Sequence, residues 1–230
     1  MAEFGRVLFM RHPQTEFNNT GRLSGRIDVG LSEHGREQAC RAAAALVAWR
    51  PDRIITSPLA RCHAIADAAA RELGIEPIED ERVIEVDFGE AEGIVKDHLS
   101  DMGLAFPWDI VDGHSVAAPR AETFEALIER ARGFVDYVAT LRGKTVVVTH
   151  GGFSRAVFAA VYREPVELFW DRVIPNVSSQ VFVSNGARLA LQTAGLTPEE
   201  LHRRADAGYV PHDSVSAAAE CTELDDLSDN

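Results

Sequence analysis

The sequence predicts an α/β fold built on a mostly parallel central sheet. Short β-branched or aromatic runs, at 7–10, 53–56 and 145–149, alternate with longer helical patterns, the signature of strand–helix–strand units. Two of these runs lead to a histidine, His12 two residues after the first and His150 directly after the third. In open α/β sheets, ligands bind in the crevice outside the carboxyl ends of the strands, so both histidines fall where a site belongs.

The elements follow in order. The first strand, 7–10, runs into Arg11-His12-Pro13. Residues 11–29 form a polar loop rich in Asn, Thr and Gly, and a loop of that length inside a compact domain points to function. Ser32 is placed as the N-cap of a helix to about Trp49, with alanines through its middle. After the strand at 53–56, Ser57-Pro58 reads as N-cap and first helical position of a helix to about Leu73. Residues 83–86 predict a further short strand. Residues 94–118 read as a small irregular cap, with Met102, Leu104, Phe106, Trp108 and Ile110 among four aspartates. A strongly periodic helix follows at 122–141. The buried strand at 145–149 hands over to His150-Gly151-Gly152 and a helix at 153–162. Residues 179–183 and 187–192, around Asn185-Gly186, predict a hairpin. The domain is therefore drawn over 1–197. From Pro198 the pattern fades, and 198–230 reads as a solvated, disordered acidic tail carrying Glu220, Glu223, Asp225, Asp226 and Asp229.

Composition narrows the class. A chain of 230 residues, 46% hydrophobic, fits one large domain with a substantial core. Its formal net charge of -13 disfavours nucleic acid and anionic membranes as partners. Cys40, Cys62 and Cys221 are an odd count without metal-type spacing; they read as free thiols of a cytoplasmic protein. The N-terminus enters a strand within a few residues, so no signal peptide is expected. No apolar run approaches the roughly 18 residues of a membrane span.

Four segments carry the chemistry. The first is Arg11-His12, with Thr15 and Asn18 close behind; the second is Ser57-Pro58-Leu59-Ala60-Arg61 at a predicted helix N-terminus. Such a terminus offers free backbone N–H groups to an anion. The third runs from Glu85 through Gly89 to Glu92-Gly93, and the fourth is Thr149-His150-Gly151-Gly152. Arginine matches phosphate bidentately, neutral imidazole is a competent nucleophile near pH 7, and a carboxyl group can protonate a leaving oxygen. The set suits phosphoryl transfer without a metal. His63, His98 and His114 lack ligand spacing and are given no catalytic role, and Cys62 is assigned to packing.

In this order and spacing the motifs resemble those of the histidine phosphatase superfamily, in the branch of cofactor-dependent phosphoglycerate mutases and broad phosphatases. The resemblance covers roughly the first 195 residues: Arg11-His12-x-x-Thr15-x-x-Asn18, Ser57-Pro58-Leu59-x-Arg61, Glu85-x-x-x-Gly89-x-x-Glu92-Gly93 and Thr149-His150-Gly151. It implies a three-layer α/β/α sandwich, phosphoglycerate mutase-like. It also implies a metal-independent, cofactor-free phosphatase that hydrolyses a small phosphomonoester through a phosphohistidine. His12 would be the nucleophile and Glu85 the acid, chosen among its acidic neighbours by its offset from Gly89. Arg11, Arg61 and His150 would hold the phosphate oxygens, helped by Asn18, Ser24, Gly25 and Gly151. A phosphoglycerate mutase and a non-catalytic phosphate-binding regulator are the alternatives.

Two departures from the family bear on this. Pro13 stands where glycine is usual, removing a backbone N–H; one lost hydrogen bond to a charged group costs about 1.5–3 kcal/mol. The cap holds one base, Lys96, against Asp97, Asp101, Asp109 and Asp112. The expected substrate is therefore a phosphomonoester whose remainder is neutral, apolar or cationic, with Arg22 and Arg26 as either loop charges or a second anion site. The segment 164–176, with Phe169, Trp170 and Val173, suits internal packing or a homodimer interface, and the sequence leaves both open.

Overall fold

Side-by-side pairing of short parallel strands sets the architecture of the computed structural model, which describes residues 5–105 and 109–206. The first strand is β1 (Gly5–Arg11), followed by the short helix α1 (Glu16–Thr20) and by α2 (Glu33–Trp49). Next come β2 (Arg53–Thr56), α3 (Ala60–Leu73) and the two-residue β3 (Ile78–Glu79). A small hairpin, β4 (Ile110–Val111) and β5 (His114–Ser115), precedes α4 (Phe124–Ala139). The described chain continues through β6 (Lys144–Thr149), α5 (Gly151–Tyr162), β7 (Ser179–Ser184), β8 (Leu189–Leu196) and α6 (Pro198–Asp206).

The six-stranded sheet runs β3-β2-β6-β1-β7-β8. β1, β2, β3 and β6 are parallel to their neighbours within that group, while β7 and β8 join antiparallel. Alternation along each strand divides the core in two. Val7, Phe9, Ile55 and Val147 face α4 and α5; Leu8, Met10, Ile54, Val146 and Val148 face α2 and α3. Helices on both faces make the predicted three-layer α/β/α sandwich, and they explain why the strands read as unbroken apolar runs. Among the described residues, no helix is long and apolar enough to cross a membrane.

Four expectations need correction. The apolar stretch 83–86 forms no strand: the backbone passes through a 3-10 turn at Glu81–Val83 and is then extended. Its carbonyls are satisfied by side chains. Arg130 donates to the carbonyls of Arg82, Ile84 and Glu85, and the Thr149 hydroxyl donates to that of Val83, so no strand ladder is needed to pair them. The loop 11–29 contains α1, closed by a capping box in which Thr15 and Asn18 bond each other's backbone amides. Helix α3 starts at Ala60 rather than Pro58, with Leu59 in the capping position.

The fourth concerns residues 198–206, read as the start of a disordered tail. Residues 198–206 form α6, opened by a second capping box between Thr197 and Glu200, and Leu201 is buried with the α2–α3 core. The remaining acidic residues, from 207 on, lie outside the described residues, as do Cys221, Phe106 and Trp108. The segment 164–176 turns out to be divided. Phe169 stacks on Phe124 at 4.3 Å, Trp170 meets both rings edge-on, and Val173 stays 83% exposed.

One contact ties the core to the loop behind β1. Gly35, in the first turn of α2, lies against the Gln14 backbone, and a β-carbon there would run into the Gln14 carbonyl. Alanine gains about 1 kcal/mol of helix propensity over glycine, while forcing a methyl group into packed backbone costs about 1–3 kcal/mol. Gly35→Ala is therefore expected to lower the urea midpoint; an unchanged or raised midpoint would show that the loop yields without cost.

Candidate active site

The strand ends assemble the site. β1 and β6 pair in parallel with Arg11 opposite Thr149, and the His12 amide donates to the Thr149 carbonyl at 2.8 Å. His12 and His150 therefore emerge side by side, ring centroids 5.2 Å apart. β2, on the other side of β6, delivers Ser57 and then Arg61.

His12 is 3% exposed, and its Nδ1 lies 2.6 Å from the Pro13 carbonyl. A carbonyl can only accept, which assigns the proton to Nδ1 and leaves the lone pair on Nε2. Burial, then the charges of Arg11 and Arg61, hold the imidazole well below the usual histidine range, against a small opposing effect of the Pro13 bond. Pro13 thus lacks an amide yet supplies the acceptor that orients the ring. Asn176, unnoticed in the sequence, donates to the His12 carbonyl at 3.0 Å and to Asn18 Oδ1 at 3.3 Å. Asn18 Oδ1 is thereby committed to the capping box and to Asn176, leaving the amide nitrogen as its donor.

Arg61 is 1% exposed and anchored at three points: Nη2 donates to the Gly25 carbonyl at 2.7 Å, Nη1 to the Ile27 carbonyl at 2.8 Å, and Nε to His150 Nδ1 at 3.3 Å. An arginine N–H only donates, so Nδ1 of His150 accepts. The His150 proton then sits on Nε2, 2.7 Å from Ser57 Oγ. Both His150 nitrogens are engaged, and the ring braces Arg61. Burial, followed by Arg61, His12 and Arg11, depresses its pKa well below the usual range. Arg11 donates through Nη1 to the Ile174 carbonyl at 2.5 Å, and burial lowers its pKa to about 10 despite Glu85 nearby. Cys62 packs under His150, its thiol pushed up by burial to about 12, a packing residue with no thiolate to offer.

Both helix N-termini that open here are capped by carboxylates from elsewhere in the chain. Asp28 accepts from the Ala60 amide at 3.0 Å, the capping role expected of Ser57, whose Oγ accepts instead from the Leu59 amide at 3.4 Å. Glu85 accepts from Gly152 on Oε2 and from Phe153 and Val86 on Oε1, each at 3.0 Å. The Ala60, Gly152 and Phe153 amides are thus already paired. Gly25 takes a positive φ of 49°, turning its carbonyl to Arg61, and Ser24 accepts on its carbonyl from the Ile27 amide at 3.0 Å. Gly151 sits against Arg11 and Arg155. Arg22 and Arg26 are tied into loop contacts, Arg22 to the Gly93 carbonyl at 2.6 Å and Arg26 to Asp87 and Glu122 at 3.5 Å each.

Arg155 is the charged neighbour that sequence reading missed. It carries the only charge in the otherwise apolar helix Gly151–Tyr162, and a lone cation in a buried helix was the available signal. Among the described residues, no group of three or more His, Cys, Asp or Glu side chains is arranged to hold a metal ion.

Known proteins resemble this chain in sequence and in fold. Residues 7–197 match the profile of the histidine phosphatase superfamily (branch 1). The chain is 29% identical over 182 residues to phosphoserine phosphatase 1 of Hydrogenobacter thermophilus, covering 76% of this chain and 85% of that protein. It is 31% identical over 174 residues to glucosyl-3-phosphoglycerate phosphatase of Mycolicibacterium vanbaalenii, covering 70% and 76%. Some other relatives are longer proteins, of which the matched segment is 40%. In fold it is similar to Entamoeba histolytica phosphoserine phosphatase, solved with 3-phosphoglyceric acid. The TM-score is 0.74 at 19% identity, over 85% of this chain and 99% of that one.

The two depressed histidines couple folding to pH. Below the ordinary histidine pKa of about 6.5, the unfolded chain takes up protons that folded His12 and His150 refuse. Stability is present in full above that pH and falls as pH drops through it, by up to about 1.4 kcal/mol per pH unit for each histidine. Urea unfolding between about pH 7.5 and 5.5 measures the slope. A His12→Asn variant is expected to lose about half of it; an unchanged slope would contradict the assignment.

Proposed function

The chain belongs to the histidine phosphatase superfamily, and on that premise we propose that it hydrolyses a small phosphomonoester by way of a phosphohistidine on Nε2 of His12. The observation that carries this reading is the hydrogen bond from His12 Nδ1 to the Pro13 carbonyl. It leaves a lone pair on Nε2 of a ring that burial keeps neutral.

In the first step the Nε2 lone pair forms a bond to phosphorus while the ester P–O bond breaks. The leaving oxygen keeps the bonding pair and takes a proton from Glu85. Oε2 of Glu85 accepts a single amide, from Gly152, and so retains a position for that proton. In the second step water gives a proton to Glu85 and attacks phosphorus, and the P–N pair returns to His12. Arg11 and Arg61 hold the phosphate oxygens, with the Asn18 amide nitrogen as auxiliary donor. His150 acts as a positioning residue: it fixes Arg61 Nε, while Ser57 fixes His150. Guanidinium groups already in place around a buried seat need no reorganisation as the phosphoryl group moves.

The relatives named for phosphoserine and glucosyl-3-phosphoglycerate support a small phosphorylated metabolite as substrate. With the whole chain, His12→Ala is expected to abolish hydrolysis of p-nitrophenyl phosphate and of alkyl phosphates alike. Activity at the wild-type level would remove His12 from the nucleophile's role. Conversion of 3-phosphoglycerate to 2-phosphoglycerate, stimulated by the bisphosphate, would assign a mutase instead.

Glu85→Gln separates the acid from the cradle. A good leaving group needs little protonation, so alkyl phosphates should slow by about 10²–10³-fold and p-nitrophenyl phosphate by much less. Equal losses on both would make Glu85 a structural cap only.

A further inference from the structure

Two of the three bonds that anchor Arg61 come from an exposed loop. Its Nη2 and Nη1 donate to the carbonyls of Gly25 and Ile27, while residues 26–28 lie open to solvent. A loop with little packing beneath it opens locally at small cost. A guanidinium only donates, so both Nη groups are as fixed as those carbonyls are.

The loop is steadied from elsewhere in the chain. At its start the Leu23 amide donates to the Ile94 carbonyl at 3.0 Å, and the Leu23 carbonyl accepts from Gly93 at 2.8 Å. At its end Asp28 accepts from the Ala60 amide. The Arg26 side chain reaches Asp87 and Glu122, but it is 41% exposed, and an ion pair in water holds little. The middle is gripped by Glu92, whose Oε1 accepts from the Arg26 amide at 2.7 Å and from the Phe88 amide at 3.2 Å. The shorter of these is a charge-assisted length.

The Arg26 amide and the Gly25 carbonyl belong to one peptide plane, whose N–H and C=O point in opposite directions. Glu92 therefore holds one edge of that plane and Arg61 the other. A carboxylate on the N–H also polarises the peptide and makes its carbonyl a stronger acceptor. Only glycine allows this approach, because a β-carbon on Gly25 would run into Glu92 Oε1. The carboxylate stays half-buried although burial raises its pKa, against the pull of the two amides. Its charge also favours the Arg61 cation, less than those of Glu85 and Asp28 do.

We propose that Glu92 is a positioning residue of the phosphate site. It aims the Gly25 carbonyl at Arg61 by holding the far edge of the same peptide plane, and through Phe88 it ties that loop to the segment carrying Glu85. This rests on the reading in which Arg61 holds the phosphate. Without Glu92 the plane is free to turn, and the guanidinium loses one of its anchors while keeping its charge.

Calorimetric binding of inorganic phosphate to the whole chain reads the effect without turnover. Glu92→Met removes the acceptor at similar length and should weaken phosphate about ten- to a hundredfold, the effect of losing a hydrogen bond to a charged group. Glu92→Gln, neutral but still an acceptor, should restore most of that loss. Arg61→Lys keeps the charge and gives up the guanidinium fork. In that background Glu92→Met should cost about twofold or less, because the two substitutions then act on one interaction. A loss of equal size in both backgrounds, or no loss in either, overturns the assignment. So does Glu92→Gln as weak as Glu92→Met, since charge alone would then account for the effect. If Glu92→Met does not fold, Glu92→Asp, a carboxylate one carbon short, is read in the same cycle. Wild-type protein that shows this coupling yet hydrolyses no phosphomonoester keeps the role of Glu92 and sinks the phosphatase reading alone. Wild-type protein that binds no phosphate overturns both.

Discussion

The in-register parallel pairing of β1 with β6 is the constraint on which the site depends. Arg11 stands opposite Thr149, and the next amide along, that of His12, reaches back to the Thr149 carbonyl. This last ladder bond puts two histidines from positions 138 residues apart in the sequence into one buried cleft. Parallel strands need long crossovers, and the crossovers here bring the remaining parts: Arg61 from α3, Glu85 from the segment after β3, Arg155 from α5. A one-residue slip between β1 and β6 would turn Leu8 and Met10 to the wrong face of the sheet. The same core burial that stabilises the sandwich therefore also holds the catalytic register.

Carboxylates from distant loops cap both helices that start at this edge. Asp28 reaches the Ala60 amide, and Glu85 reaches Gly152 and Phe153. A side-chain cap contributes about 0.5–2 kcal/mol, so these contacts hold the loops as well as the helices. With the Ala60, Gly152 and Phe153 amides paired inside the protein, an oxyanion bound as proposed would meet chiefly guanidinium groups. Each of these is braced by backbone carbonyls: Ile174 for Arg11, Gly25 and Ile27 for Arg61, Arg172 for Arg155.

Much of this was legible in the amino-acid order. Continuous apolar runs at β1, β2 and β6 marked strands covered on both faces, and the polar residues directly behind them marked the site edge. What escaped was governed by partners far away in sequence. Residues 83–86 have the composition of a strand, yet Arg130 and Thr149 take their carbonyls. Ser57 has the composition of a cap, yet Asp28 fills that role and leaves Ser57 to His150. The α6 helix was different. Thr197-Pro198-Glu199-Glu200 is a complete local start signal, overshadowed by the acidic composition that follows. Arg155 escaped because a helix interior is ordinarily read for its apolar face, and a single charge on it was passed over.

The crowding of positive charge in one cleft has a further consequence for how an anion arrives. The chain as a whole carries a net charge of -13, so at long range it would repel the anion that, on the proposed reading, its cleft attracts. The two fields respond differently to salt. At physiological ionic strength the Debye length is about 8 Å, which mutes the diffuse repulsion of exposed carboxylates while leaving contacts inside the cleft nearly intact. Moderate salt should therefore speed the approach of a phosphorylated anion before higher salt weakens its capture. Net negative charge around a basic cleft would give the association rate a maximum in ionic strength, where a uniformly basic protein would show only decline.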